Sequence, residues 1–85
     1  MEEHIHTFAK ALVTRDGLRY IAHAHGARTS GGTWHGWLVF EPQGGGPTLR
    51  TERETTQPER GHLVYWASGL EPVYLEGALA RATPV

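Results

Sequence analysis

Asp16-Gly17 interrupts the chain between two runs rich in apolar, aromatic and β-branched residues. An Asp-Gly pair in that setting is the strongest short-range signal for a β-hairpin. Similar punctuation recurs along the whole chain. "HGARTSGG" at 25–32 reads as a longer polar loop, "PQGGGP" at 42–47 as a second hairpin connection and "TTQPERG" at 55–61 as a third loop. The segments between these breaks are about eight to ten residues long and carry Val, Ile, Thr, Tyr, Phe and Trp, the signature of a small all-β domain.

The strands that this spacing predicts are 4–13, 18–25, 33–41, 48–55 and 62–68. The segment 72–82 reads as a sixth strand or a short helix. Pro72-Val73-Tyr74-Leu75 looks extended, whereas the good helix formers that follow are interrupted by Gly77. A sixth strand would cover an otherwise open edge, which favours strand. The expected fold is a single small β domain over residues 1–85. Its architecture is a small antiparallel barrel, or a strongly bent sheet, of five to six strands, of the SH3-like or OB-like sort.

In "TWHGWLVFE", Trp34, Leu38 and Phe40 alternate with His35, Trp37 and Val39, so the strand is apolar on both faces. One face fills the core, and the other must be covered or remain an apolar patch. Gly36 marks a bulge or a close approach of another group. "HLVYWAS" shows the same alternation, Leu63, Tyr65 and Ala67 against Val64 and Trp66.

Several function classes are disfavoured by composition. The chain has no cysteine, which removes disulfides, thiolate nucleophiles and cysteine zinc sites. A small extracellular domain usually leans on disulfides, so a cytoplasmic location is expected. The start "MEEHIHTF" is acidic and unlike a signal peptide, and no apolar run approaches the length of a membrane span. A formal net charge of -1 argues against a generic nucleic-acid binder.

His-x-His occurs twice, at His4/His6 and His23/His25, on the two arms of the predicted first hairpin. Within one strand such a pair shares a face. A two-residue loop at Asp16-Gly17 would set Phe8 opposite His25, and a four-residue loop would set His6 opposite His25 and Phe8 opposite His23. Either register collects all four histidines on one face, whereas a three-residue loop would split the two pairs. The four-residue loop would make His6 and His25 neighbours able to share Zn²⁺ or another divalent ion, with His4 or His23 as a third ligand. No Asp or Glu is spaced within the hairpin to orient the rings, which favours a solvated surface over a metal site.

Other chemistry is thinner. Ser30 and Ser68, with His35 and His62, lack a nucleophile-elbow motif, and "QGGGP" lacks the Lys-Ser/Thr and following helix of a phosphate loop. The mixed charges of "TERETTQPER", including Glu52, Glu54 and Glu59, read as a solvated strand and loop. Trp34, Trp37, Tyr65, Trp66 and Tyr74 exceed what one face of so small a core can absorb. With Arg28 and His35, the set Trp34, Trp37, Tyr65 and Trp66 forms a candidate partner or ligand surface. The expected function is non-enzymatic binding of a protein, including a second copy of the chain, with no catalytic residues and no required cofactor. The alternatives are a divalent-metal or small-ligand protein using His4, His6, His23 and His25, and single-stranded nucleic-acid binding through exposed aromatics.

Overall fold

The computed structural model, which describes residues Met1–Val85, reverses at each of the first three turn signals. Strands β1 (Glu2–Thr7), β2 (Leu12–Val13), β3 (Arg19–Arg28), β4 (Trp34–Pro42), β5 (Leu49–Arg50), β6 (Thr55–Gln57) and β7 (Thr83–Pro84) form one antiparallel seven-stranded sheet. Its main path runs β1-β3-β4-β5-β7, with β2 also pairing β3 and β6 also pairing β4. The backbone of the sheet is the β3–β4 hairpin, paired in unbroken register from Tyr20↔Pro42 to Arg28↔Trp34. Its turn is closed by Thr29 N–H donating to the Thr33 carbonyl at 2.7 Å, with Gly32 at φ +93°, a conformation that favours glycine.

One expected strand is a helix, and the segment that read as strand or helix takes the helical form. α1 (Arg60–Ser68) occupies the segment read as strand 62–68, and α2 (Pro72–Arg81) occupies the ambiguous C-terminal segment. The alternation in "HLVYWAS" concealed a second periodicity, Leu63, Trp66, Ala67 and Leu70, spaced as one face of a helix. Leu63 and Ala67 are buried, and Trp66 and Leu70 pack toward the core. In α2 the same role falls to Leu75, Ala78 and Leu79, with Ala82 just past the helix end, while Pro72 sits at the helix start, where its missing N–H costs nothing. Gly77 lies on the exposed side, where it weakens the helix by about 1 kcal/mol without breaking it.

This change explains why the sheet is not a closed barrel. Both helices lie on one face of it and bury the apolar side chains that a closing strand would otherwise have covered. The resulting core gathers Phe8, Leu12, Tyr20, Ala22, Ala24, Leu38 and Phe40 from the sheet side with Ala67, Leu75 and Ala78 from the helices. Two expected strands are also shorter than predicted. Residues 4–13 break into β1 and β2 around Phe8–Ala11, and 48–55 keeps pairing only at its two ends, in β5 and β6.

Gly26 and Gly36 face each other across β3 and β4, and Leu63 of α1 sits over both. A methyl group at either position would collide with Leu63, which is fully buried. The close approach expected at Gly36 is thus the docking of α1 onto the sheet. α2 is tied down differently. Glu54 Oε1 accepts hydrogen bonds from the Tyr74 hydroxyl and, at 2.6 Å, from Arg81 Nη2. The Glu54 side chain is only 8% exposed, so this residue is a buried anchor rather than part of a solvated charge run.

Candidate functional site

The four histidines of the two His-x-His pairs do not share a face, and the backbone shows why. Thr14 N–H donates to the Leu18 carbonyl, and Gly17 has φ +85°, so Arg15, Asp16 and Gly17 form a three-residue loop. That loop sets Leu12 opposite Tyr20. After the break at Phe8–Ala11, pairing resumes with Thr7↔His23 and His6↔Ala24. A β-bulge at Ile5 then shifts the register so that His4 stands opposite His25. Had the His4↔His25 register continued unbroken, His6 would face His23. The bulge puts Thr7 there instead and turns His6 to the helix-covered side, edge-on to the Phe8 ring at 4.7 Å.

His4, His23 and His25 therefore form a cluster on the sheet face that no helix covers. Their ring centres are 5.6 Å (His4–His23), 5.7 Å (His4–His25) and 6.3 Å (His23–His25) apart. The Thr7 hydroxyl stands between two of them, 2.7 Å from His4 Nε2 and 2.9 Å from His23 Nδ1. Each of the other two contacts is a carboxylate supplied from a distance in sequence. Glu41, on β4, lies 3.0 Å from His23 Nε2, and Glu2, at the start of β1, lies 2.6 Å from His25 Nδ1. The orienting acids that seemed missing from the hairpin are present.

These partners assign the tautomers. A carboxylate only accepts, so neutral His23 carries its proton on Nε2 and His25 on Nδ1. His23 Nδ1 then accepts from the Thr7 hydroxyl, whose oxygen accepts from His4 Nε2–H. The lone pairs of His25 Nε2 and His4 Nδ1 have no hydrogen-bond partner within the protein. Burial, followed by the neighbouring His23, His25 and His6, holds the His4 imidazole below its ordinary value. As the side chains stand, no group of three His, Asp or Glu could hold a metal ion.

Glu41–His23–Thr7 reproduces the carboxylate–imidazole–hydroxyl order of a hydrolytic triad. The Thr7 oxygen, however, also accepts from His4, and none of the three surface cavities includes Thr7 or a histidine. The two larger cavities instead flank β2 beside α2. One of about 430 Å³ is lined by Phe8, Leu12, Leu70 and Leu75, and one of about 500 Å³ by Val13, Tyr20, Leu49 and Leu79.

The aromatic surface expected from the sequence is divided. Trp37 and His35 lie on the open face, as their alternation requires, opposite His25 and Ala27. Trp34 and Arg28 pair with each other at the end of the sheet, with the parity of the opposite face. Trp66 packs against the core and meets Tyr74 edge-on, and Tyr65 is 81% exposed on the outside of α1. No continuous platform for stacked bases results, since Trp34 and Trp37 point to opposite sides of β4. Trp37 is buried beneath the Arg50 guanidinium, 4.5 Å from the ring centre, and its indole N–H has no acceptor. No helix is long and apolar enough to cross a membrane. Comparison with protein-family models, with curated proteins and with solved structures finds no match to this chain.

Proposed function

We propose that this domain is a non-enzymatic binding module that works through the open face of its sheet, and that its partner is a protein, first of all a second copy of the chain. The observation that carries the reading is Trp37. An indole at the middle of a face that no helix covers, closed over by the Arg50 side chain and with its N–H unsatisfied, becomes the anchor of an interface when a partner displaces Arg50. Ala27 and Val39 flank it with half-buried apolar area, and Ile21 adds more farther along the same face.

The geometry favours face-to-face over edge-to-edge association. The β1 edge carries Glu2 and Glu3 and is bent by the bulge at Ile5, both of which discourage strand pairing with another chain. The face itself carries both signs, Glu2 and Glu41 with Arg50 and the imidazoles, so two copies related by a two-fold axis can oppose unlike charges.

Sedimentation equilibrium from micromolar to millimolar concentration tests this. The expected result is a dimer that Val39→Glu weakens at least tenfold, while Tyr65→Ala on the helix side leaves it unchanged. A wild-type chain that stays monomeric at millimolar concentration would falsify self-association.

A further inference from the structure

We propose that His4, His23 and His25 bind one divalent transition-metal ion, of the zinc, nickel or copper class, within a single chain. Imidazole nitrogen binds such an ion at about 2.0–2.1 Å, which in a tetrahedral site puts the ring centres of three ligands about 5 Å apart. The observed separations of 5.6, 5.7 and 6.3 Å exceed that by roughly 0.6 to 1.3 Å. The widest gap lies between His23 and His25, and it closes when those two rings turn with the half-exposed Glu41 and Glu2 carboxylates following them. His4 is exposed and is held only through its bond to Thr7, so its ring is free to swing at small cost.

The protein also supplies what surrounds a metal site. Glu41 and Glu2 occupy the far nitrogens of His23 and His25, which leaves His23 Nδ1 and His25 Nε2 as the ligand atoms and raises their basicity. The ring nitrogens of His4 and His23 already face one point, where the Thr7 hydroxyl serves as their common partner. The ion takes over that bridging role, and Thr7 moves aside or remains as a weak neighbour. Because His23 and His25 are on β3 and His4 is directly opposite on the edge strand β1, the backbone that fixes them is paired strand rather than a loop. Three neutral nitrogen ligands leave at least one position for water or a partner's group, and suit borderline metals over Mg²⁺ or Ca²⁺. His6 is excluded from the set by the bulge.

This site does not rest on self-association, and the two are separable by stoichiometry. Zn²⁺ as its chloride is titrated calorimetrically into the untagged full chain at pH 7.5, below any dimerisation concentration. One ion per chain is expected at micromolar affinity or tighter. His23→Ala and His25→Ala should each weaken binding at least a hundredfold, Glu41→Gln about tenfold. His6→Ala and His35→Ala should bind as the wild type does. Melting curves of every variant separate lost ligands from lost folding, and ¹⁵N spectra of the imidazoles should show only three rings shifting with Zn²⁺. Absence of binding overturns the proposal, as does half an ion per chain, which would mean a site shared between copies. Equal weakening by His6→Ala and His25→Ala overturns it too.

Discussion

The two faces of the β3–β4 hairpin are built from alternate residues of the same two strands, yet they are organised by different forces. On the helix-covered face Ala22, Ala24, Leu38 and Phe40 are fully buried, and Gly26 and Gly36 leave the slot that Leu63 fills. On the open face His23, His25 and Trp37 are held by Glu41, Glu2 and Arg50, through directional contacts reaching across strands. The first face gains from area removed from water, the second from geometry that satisfies polar groups. Damage to the first should therefore unfold the protein, and damage to the second should leave the fold and change what it binds.

The largest expected effect tests the covered face. Leu63→Ala empties the glycine slot and should cost about 2–5 kcal/mol. Gly36→Ala fills it from the other side and should cost about 1–3 kcal/mol by overpacking, because Thr55 as well as Leu63 crowds that position. Urea denaturation measures both, and a wild-type midpoint for either would show that α1 is not seated as described.

The anchor of α2 comes next. Glu54 is pushed up by burial, but the hydrogen bonds from Tyr74, Arg81 and Thr51 and the Arg81 charge outweigh this and hold its carboxyl below the ordinary value. The stabilisation is present above the unfolded value of 4.5 and is lost as pH falls through the lower folded value. Glu54→Gln should cost about 1.5–3 kcal/mol at pH 7 and flatten the acid limb of the stability curve. If the variant retains the wild-type acid limb, Glu54 is not the group that titrates.

The smallest effect belongs to the open face. His4 is neutral more readily in the folded chain than in the unfolded one, whose value is 6.5. The unfolded state therefore binds more protons in that range. Stability is complete above pH 6.5 and declines as pH drops below it. With His4 exposed, the decline should be roughly a degree or two in Tm between pH 7.5 and 5.5, and smaller in His4→Ala. A drop of the same size in His4→Ala would place the proton uptake elsewhere.

The covered face was far more legible in the sequence than the open one. The period-two pattern of "TWHGWLVF" assigned Leu38 and Phe40 to one side and His35, Trp37 and Val39 to the other, as found. The histidine cluster was only partly legible. Alternation placed His23 beside His25, but it assumed that the first arm of the hairpin ran unbroken from 4 to 13, and the bulge exchanged His6 for Thr7. Glu2 and Glu41 went unnoticed because one lies at the outer end of β1 and the other on β4, so no local spacing connects them to the histidines they hold.

The chain's own residues determined the hairpin turns, the buried side of β4 and the exclusion of cysteine chemistry, because each depends on local conformation or on composition. Tertiary structure decided the rest. Residues 62–68 satisfy both a strand and a helix pattern, and the uncovered apolar face of the sheet selects the helix, since only there do Leu63, Trp66, Ala67 and Leu70 all find cover. The register of β1 is likewise a compromise. Ile5 and Phe8 are three residues apart and both pack on the core side, which strict alternation forbids, and the bulge at Ile5 absorbs the mismatch. Which histidines meet is a consequence of that long-range packing, and no spacing within the sequence encodes it.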